Sequence, residues 1–426
     1  ASMTLYARWR EDQRWDVDIT PFQNDFAKTY HIQTAAQLRG LMALQNGLYD
    51  WGEKNDCNGY SNKLMYPTNP ISQTLAPISF AGKTIVLDND IILCDTTDWQ
   101  YWGRGAFGLP WKSIGSNYGV ENESEHRFQG TFDGQGHVIY GLYQENTGMP
   151  MRDGYGGFFG WVGDGAVIKN VGIAASCLDY QNYDTRGVYD DATKYWLQCG
   201  VATQGNPSRV GMMAGFVVDS VTFDQCYTEG NIFVQSNGFY GLGGFIGQLG
   251  DEFYYNIAKI TNCYSRVNIH NTSPVDTIDY NPQGYGFAVF GKQIPITKSY
   301  SAGHTHHSFA NANNSYGDEV ANCYYDKELV NVMDSYSWGG VHYIGGPKTT
   351  NEMHAKATFV DWDFENIWGR NEAINDGYPY LRVFYEGAPA DSEDPIVVTG
   401  ITLNVTDTTV IGGSSFQLIA TILPEN

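Results

Sequence analysis

The sequence has 426 residues, and its 47 acidic against 25 basic side chains give a formal net charge of −22. A surface of this charge repels polyanions, so we expect no nucleic acid among the partners. Aromatic residues make up 15% of the chain and glycine occurs 49 times, which is typical of turn-rich β proteins and not of helical bundles. No apolar run approaches the roughly 18–20 residues that cross a bilayer, so no membrane insertion is expected.

The sequence predicts two helices. The first covers 34–46, because Thr34 and Gln37 fit a capping box and Gly47 supplies a stop. An apolar stripe on this segment consists of Leu38, Leu41, Met42 and Leu44. The second helix is shorter and covers 349–356, where the same capping box recurs. Between the two helices the pattern is β throughout.

The stretch FQGTFDGQGHVIYGLY (128–143) places a glycine-rich cluster directly before an apolar run. We interpret FDGQG as a turn, since its glycines accept positive φ and Asp133 can hydrogen-bond to the backbone. VIYGLY is then the next core strand. Asp133 is accordingly interpreted as a structural corner and not as a catalytic carboxylate.

A short pattern recurs along the chain: apolar, any residue, polar, small or Cys, then aromatic or Gly. Its copies are IKNVGI (168–173), FDQCYT (223–228), ITNCYS (260–265), ITKSYS (296–301) and VANCYY (320–325). Repeats at fixed shape and irregular spacing predict a β-solenoid whose coils carry variable loops. The first residues of the copies should point inward at equivalent places; they are Ile168, Phe223, Ile260, Ile296 and Val320.

The seven cysteines show no CxxC pair and no zinc-finger spacing, so no metal site or other cofactor is expected. Cys226, Cys263 and Cys323 occupy the same place in three repeats and are interpreted as small apolar residues inside the solenoid. Cys177 and Cys199 could bridge the base of the insert between them if the protein is secreted.

The longest departure from the repeat is the insert CLDYQNYDTRGVYDDATKYWLQCG (177–200). Sugars bind to aromatic faces and to paired hydrogen-bonding groups, and glycoside hydrolysis needs two carboxyl groups. The candidate catalytic residues are therefore Asp179, Asp184, Asp190 and Asp191. The candidate ligand-binding residues of this insert are Tyr180, Tyr183, Tyr189 and Trp196. The alternative is a solvated acidic loop without a ligand.

Two further segments carry candidate binding residues. In SAGHTHHSFANANNSYGDE (301–319), His304 and His306 would share one face of a strand and His307 would take the other. No carboxylate spacing that suits a metal accompanies them. In TTDWQYWGRGAFGLPW (96–111), Trp99 and Trp102 are candidates for a sugar platform; the alternative is a cap that packs against the solenoid.

Several segments share one resemblance: AGKTIVLDNDIIL (81–93), WKSIG (111–115), FQGTFDGQGHVIYGLY, GGFFGWV with IKNVGI, and WDFENIWGRNEAINDGYPYL (362–381). Their combination resembles GLUG-type repeats of bacterial surface proteins. Such repeats also occur beside IgA-cleaving metallopeptidases. The resemblance implies an all-β fold: a right-handed parallel β-helix with an N-terminal capping helix. The metallopeptidase motif HExxH is absent from this sequence, so protease chemistry is not implied.

The resemblance also implies a modular, extracellular bacterial protein. Residues 1–10 resemble the end of a Listeria–Bacteroides repeat, and 397–426 resemble the first half of a bacterial group 2 Ig-like domain, a partial β segment. The β-helix would occupy 30–385, and the acidic stretch 386–396 would be a linker. We expect a secreted or cell-wall-attached protein, a monomer.

Two functions from different classes fit these patterns. The first is a module that binds a glycan or a host surface, because the resemblance carries no catalytic motif. The second is a glycoside hydrolase acting on neutral glycans through a pair of Asp or Glu carboxylates. The negative charge disfavours acidic sugars in both cases.

Overall fold

The structure is a computed structural model, and it describes most of the chain between Val17 and Leu423. The described residues are 17–24, 26–46, 78–94, 96, 111, 113–115, 127–145, 155–180, 189–190, 195–196, 209–234, 241–250, 258–271, 284–290, 295–313, 320–331, 341–392, 394, 400–405, 409, 412, 415, 417 and 419–423.

The described elements are almost all short strands. The first half of the chain contains β1 Thr29–Ile32, β2 Thr84–Leu87, β3 Ile91–Ile92, β4 Thr131–Tyr140, β5 Tyr143–Glu145, β6 Tyr155–Gly156, β7 Phe159–Val162, β8 Val167–Tyr180, β9 Tyr189–Asp190, β10 Tyr195–Trp196, β11 Arg209–Gly211, β12 Ala214–Val217, β13 Thr222–Asp224 and β14 Tyr227–Val234. The second half contains β15 Gly241–Gly243, β16 Ile246–Leu249, β17 Lys259–Thr261, β18 Tyr264–Asn271, β19 Ala288–Phe290, β20 Ile296–Thr297, β21 Tyr300–Ser301, β22 Ala310–Asn313, β23 Val320–Ala321, β24 Tyr324–Asp326, β25 Val341–Ile344, β26 Gly346–Lys348, β27 Trp368–Gly369, β28 Tyr380–Leu381, β29 Gly400–Leu403 and β30 Ala420–Leu423. The α-helices are α1 Ala35–Asn46 and α2 Thr350–Met353, and short 3-10 turns lie at Thr20–Phe22, Lys356–Thr358, Asn375–Gly377 and Arg382–Phe384.

Successive coils of the chain pair strand for strand in parallel. The coil of β11, β12, β13 and β14 pairs in register with the coil of β15, β16, β17 and β18. One ladder continues from β8 through β13, β17 and β20 to β23, and a second from β8 through β14, β18, β21 and β24 to β26. A third ladder joins β7, β12, β16, β19 and β22 and ends on the antiparallel β25. The fold is therefore mostly β, with parallel strands stacked into a solenoid-like structure.

Both predicted helices are present. Gln37 N donates to Thr34 Oγ1 at the start of α1, whose Leu38, Leu41 and Met42 are buried in the main core. The helix also reaches across the core, since Arg39 donates to the carbonyl of Leu93. The second helix, α2, is shorter than predicted, but Thr349 and its partner three residues later form the complete capping box.

The inward positions of the repeat are confirmed. Ile168, Phe223, Ile260 and Ile296 are neighbours in the ladder and are fully buried, while Val320 is partly buried and packs against the same core. Side chains alternate between the two faces of a strand. Each of these residues lies two positions before the corner of its coil, so all of them take the same inward-facing place.

The polar third position of each repeat is a corner of the backbone. Asn170, Gln225, Asn262, Lys298 and Asn322 all have positive φ, between 51° and 55°. The left-handed conformation is strained for most residues and is tolerated best by Gly and Asn, which explains the frequent Asn there. The pattern that the sequence shows as a repeat therefore marks the turn between two strands of one coil.

The FDGQG stretch is the same corner in an earlier coil. The sequence predicts that this stretch is a turn before the next strand, and this prediction is wrong in one respect. Strand β4 runs through the stretch, with a shift of register between Asp133 and His137. Asp133 accepts hydrogen bonds from Gln135 N and from Asn170 Nδ2, and it forms an ion pair with Lys169. Although burial acts to raise its pKa, these contacts hold the pKa of Asp133 below its usual range. Its role as a structural corner is confirmed.

The repeated cysteines lie inside the solenoid. Cys226, Cys263 and Cys323 are buried and free, and Cys94 is buried as well. Burial raises the pKa of Cys323 to about 12 and raises that of Cys263 as well, so both thiols stay protonated at neutral pH. The side chains of Cys177 and Cys199 lie outside the described residues.

After β26 the chain runs back along the outside of the solenoid, over residues 349–392, which we name the strap. Its aromatic side chains cover a column of outward-facing tyrosines in a second apolar cluster that is separate from the main core. Beyond the strap, β29 and β30 form an antiparallel pair.

We predict that Ile260→Ala lowers the free energy of unfolding by about 2–5 kcal/mol, because it opens a cavity in a fully buried layer. Denaturant melts of the two proteins measure the difference. The exposed Lys259→Ala serves as the control and should change the stability little. A loss below about half a kcal/mol for Ile260→Ala would contradict the burial.

We predict that Lys298→Asn raises the stability, by up to about 1 kcal/mol, because asparagine tolerates the left-handed corner better than lysine does. Lys298→Val should instead lower the stability by more than about 1 kcal/mol, since a β-branched residue is disfavoured at positive φ. Equal melting behaviour of the Asn and Val variants would show that the corner does not control the stability of the coil.

Candidate ligand-binding face

The strands β14 and β18 are the longest neighbouring pair that the described part of the chain shows in complete register, from Tyr227 opposite Tyr264 to Val234 opposite Asn271. Ile232 and Val267 point into the main core. Since side chains alternate along a strand, the residues between them point outward. The outward residues beyond the tyrosines form what we name the binding face: Glu229, Asn231, Phe233, Arg266, Asn268 and His270.

The binding face ends in a stacked pair of rings. The centroids of Phe233 and His270 are 4.5 Å apart with an angle of 15° between the rings. Phe233 is half-buried and His270 is exposed, so solvent reaches the stacked pair, and most readily at His270. The Nε2 atom of His270 lies 3.2 Å from Asn231 Oδ1, which orients the imidazole.

Two amides form the middle of the binding face. Asn268 Nδ2 donates to Asn231 Oδ1 over 3.3 Å, and Asn268 Oδ1 accepts from the backbone N–H of His304 over 2.9 Å. The exposed His304 thereby lies beside the coil that carries His270. Partial burial, and then repulsion from His304, lower the pKa of His270, so its imidazole is neutral at pH 7.

The other end of the binding face is charged. Glu229 lies opposite Arg266, whose guanidinium donates to Asn375 Oδ1 over 2.8 Å and to a carboxylate oxygen of Asp376 in the strap. Burial raises the pKa of Glu229, Arg266 acts against that rise, and Asp376 adds to it. Glu229 is half-buried, and within the described part of the chain no hydrogen bond reaches its carboxyl group.

The inserts leave the solenoid beside the aromatic end. Asp179 of β8 lies in register with Phe233 of β14, which lies in register with His270. The predicted insert therefore starts where the stacked rings lie. Only the backbone is described for Asp179 and Tyr180 at the end of β8, and for the antiparallel pair in which Tyr189 lies opposite Trp196 and Asp190 opposite Tyr195.

Several predicted site residues lie outside the described residues altogether: Tyr183, Asp184, Asp191, Trp99 and Trp102. Trp111, from the same predicted platform, is described; it is buried in the main core and stacks on Phe158 at 5.3 Å. It therefore contributes to packing and not to a platform.

The three predicted histidines have different surroundings. His304 is exposed, His306 is half-buried, and His307 is buried and stacks on Tyr285 at 5.1 Å. Thus His304 and His307 lie on opposite sides of the chain, as the alternation predicts. Among the residues that the structure describes, no group of three or more His, Cys, Asp or Glu side chains could hold a metal ion.

Sequence reasoning missed Asn231, Phe233, Asn268 and His270. A signal exists, because GNIF (230–233) and VNIH (267–270) follow the Cys-Tyr of their repeats at the same offset. The alternating Asn and aromatic positions after these two repeats mark the outward columns. Only strand pairing shows that they lie side by side.

Comparison with known proteins adds little. No family model and no curated protein matches the chain. A solved structure that is similar to it is described as a "putative immunoglobulin A1 protease" from Bacteroides ovatus, at 17% identity and a TM-score of 0.44, covering 83% of this chain and 92% of that chain. A TM-score of this size supports no argument about activity, so the resemblance to GLUG-type repeats stays a prediction. In the described part of the chain, no helix is long and apolar enough to span a membrane.

We predict that His270 titrates below the usual imidazole pKa, and that His304→Gln raises this pKa because it removes the repulsion. Histidine NMR titrations measure both values. Protonation of a group whose pKa is depressed on folding favours the unfolded state, so stability should fall as the pH drops through the unfolded-state pKa of about 6.5. The control His31→Gln, in β1, should leave His270 unchanged; an upward shift of similar size in that variant would contradict the assignment.

Proposed function

We propose that the protein binds a neutral glycan on the binding face of β14 and β18. The observation that carries the proposal is the exposed Phe233–His270 stack with the amides of Asn231 and Asn268 directly beside it. The C–H faces of sugars pack on flat rings, and their hydroxyl groups need paired donors and acceptors. A ring stack followed by amides supplies both within a few side chains.

The charged end of the face supports the same proposal. Glu229 is half-buried and receives no hydrogen bond from the described residues, so its carboxyl group is available to accept from a ligand hydroxyl. Arg266 is held in place by Asn375 and Asp376, and it can donate further hydrogen bonds to a sugar. The formal charge of −22 disfavours acidic sugars at this site.

We also propose the finer architecture that the sequence implies. The in-register parallel ladders support a right-handed parallel β-helix with GLUG-type repeats over 30–385, since parallel crossovers are almost always right-handed. The pairing of β29 with β30 supports an Ig-like β segment in 397–426. In this proposal the chain is a monomeric part of a secreted or cell-wall-attached bacterial protein, and its partner is a glycan or a host surface. The insert 177–200 extends the face.

We predict that His270→Ala and Phe233→Ala each weaken glycan binding about tenfold or more, because either change removes half of the ring stack. A glycan array finds the ligand, and calorimetry on the best ligand measures the affinities. His31→Ala is the matched control, since His31 is also exposed but lies in β1. Replacing 180–196 by a short Gly-Ser linker tests the contribution of the insert separately. Absence of any ligand on the array, or unchanged binding by both ring variants, would reject the proposal.

A second function, glycoside hydrolysis, is favoured by one observation. Burial raises the pKa of Glu229, which suits a general acid, and the carboxylate of Asp376 is bound to Arg266, which lies opposite Glu229 in the same column. An assay for released reducing sugar, carried out beside the calorimetry on the same ligand, distinguishes the two functions. A hydrolase that uses this pair loses turnover but keeps binding in Glu229→Gln; one that uses the insert loses turnover in Asp179→Asn, Asp184→Asn, Asp190→Asn or Asp191→Asn.

A further inference from the structure

The strap lies over a ladder of stacked tyrosines on the outside of the solenoid. Tyr227, Tyr264 and Tyr300 come from three successive coils, and their ring centroids are 4.9 and 5.0 Å apart with almost parallel planes. Tyr324 continues the column in the next coil. Each of the four rings is buried, although none of them points into the main core.

The strap contacts this ladder along its whole length. The ring centroid of Trp362 lies 6.2 Å from that of Tyr324, and the ring centroid of Trp368 lies 6.2 Å from that of Tyr264. Phe384 packs edge-on to Tyr227, with 4.9 Å between the ring centroids. Farther on, the strap passes so close to β4 that a side chain at Gly136 would meet the carbonyl of Val383 at 2.2 Å. The strap thus starts at the last coil and reaches a coil near the beginning of the stack.

Hydrogen bonds fasten the strap to separate coils. Tyr300 Oη donates to the carbonyl of Pro379 over 2.7 Å, and Arg266 holds Asn375. Tyr378 Oη donates to the buried carboxylate of Asp326 over 2.6 Å. These bonds connect one segment to β18, β21 and β24 at the same time.

The end of the strap folds back and closes on itself through two aspartates, which we name the buckle. Asp391 accepts from Arg382 Nη2 over 2.8 Å and from Arg370 N over 3.2 Å, and Lys356 Nζ lies at 3.5 Å. Asp394 accepts from the backbone N–H of Lys356 over 2.8 Å. The remainder of the chain therefore continues from a point that is tied to the middle and the start of the strap.

In a solenoid each coil contacts only its neighbours, so a pull on the last coil would remove the coils one after another. A cap for the last coil would need to cover only β24 and β26. The strap instead crosses the coils from β24 back to β4, and the chain leaves it at the buckle. We propose that the strap and its buckle form a mechanical clamp, which distributes tension from the C-terminal continuation over several coils instead of applying it to the last one.

The clamp can be tested without any glycan, by pulling on the whole chain. In magnetic tweezers, one handle is attached at the N-terminus and the other either at residue 426 or at Ala321, which is exposed in β23 of the last parallel coil. The first arrangement loads the buckle, and the second bypasses it. The double variant Asp391→Asn/Asp394→Asn weakens the buckle without changing the size of any side chain.

We expect the double variant to unfold about tenfold faster than the wild type at constant force when the chain is pulled from residue 426, and at the wild-type rate when it is pulled from Ala321. Asp88→Asn is the control, because Asp88 pairs with His31 outside the strap; it should match the wild type in both arrangements. Tyr300→Phe, which keeps the stack but loses the hydrogen bonds of Tyr300 Oη with Pro379 and Asn375, should give a smaller acceleration from residue 426. Equal acceleration in both arrangements, or none in either, would overturn the proposal.

Discussion

The constraint on which the structure depends is the left-handed corner of each coil. Asn170, Gln225, Asn262 and their equivalents take positive φ at the same place in successive coils, so the strands on either side of the corner leave at the same angle each time. Parallel strands can then pair in register, and every residue meets its equivalent in the next coil. A corner of different geometry in a single coil would misalign both ladders that meet there.

Once the coils are in register, the character of each outward column is decided by the residue type that it repeats. The column next to the corner repeats tyrosine, and a stack of exposed aromatic rings is an apolar surface that needs a cover. The strap provides it. The columns nearer the strand ends carry Glu229 with Arg266, then Asn231 with Asn268, then Phe233 with His270. These columns are more polar than the tyrosine column, and they form the binding face beside the point where the inserts leave.

Arg266 connects these two surfaces. Its guanidinium is bound by Asn375 and Asp376 of the strap, and its column also contains Glu229 of the binding face. A change in how the strap lies would therefore alter the electrostatic surroundings of Glu229. Burial accounts for the upward direction of the pKa shift of Glu229, and Asp376 of the strap adds to it.

The sequence by itself determined the features that depend on local pattern: strands of period two, inward residues such as Ile260, and the helix α1 with its cap. Each of these follows from a few adjacent residues, because backbone conformation and alternation of faces are local properties. It also indicated that the insert 177–200 departs from the repeat, although most of that insert lies outside the described residues. Only the tertiary structure decided which columns lie side by side and that the tyrosines of the repeats stack outside the core. It also decided that Asp391 and Asp394 fasten the strap, whereas the sequence predicts a linker for their acidic stretch. The reason is that these contacts join residues from different coils or more than a hundred positions apart, as in Arg266 and Asp376, and no local pattern encodes the pairing of such distant segments.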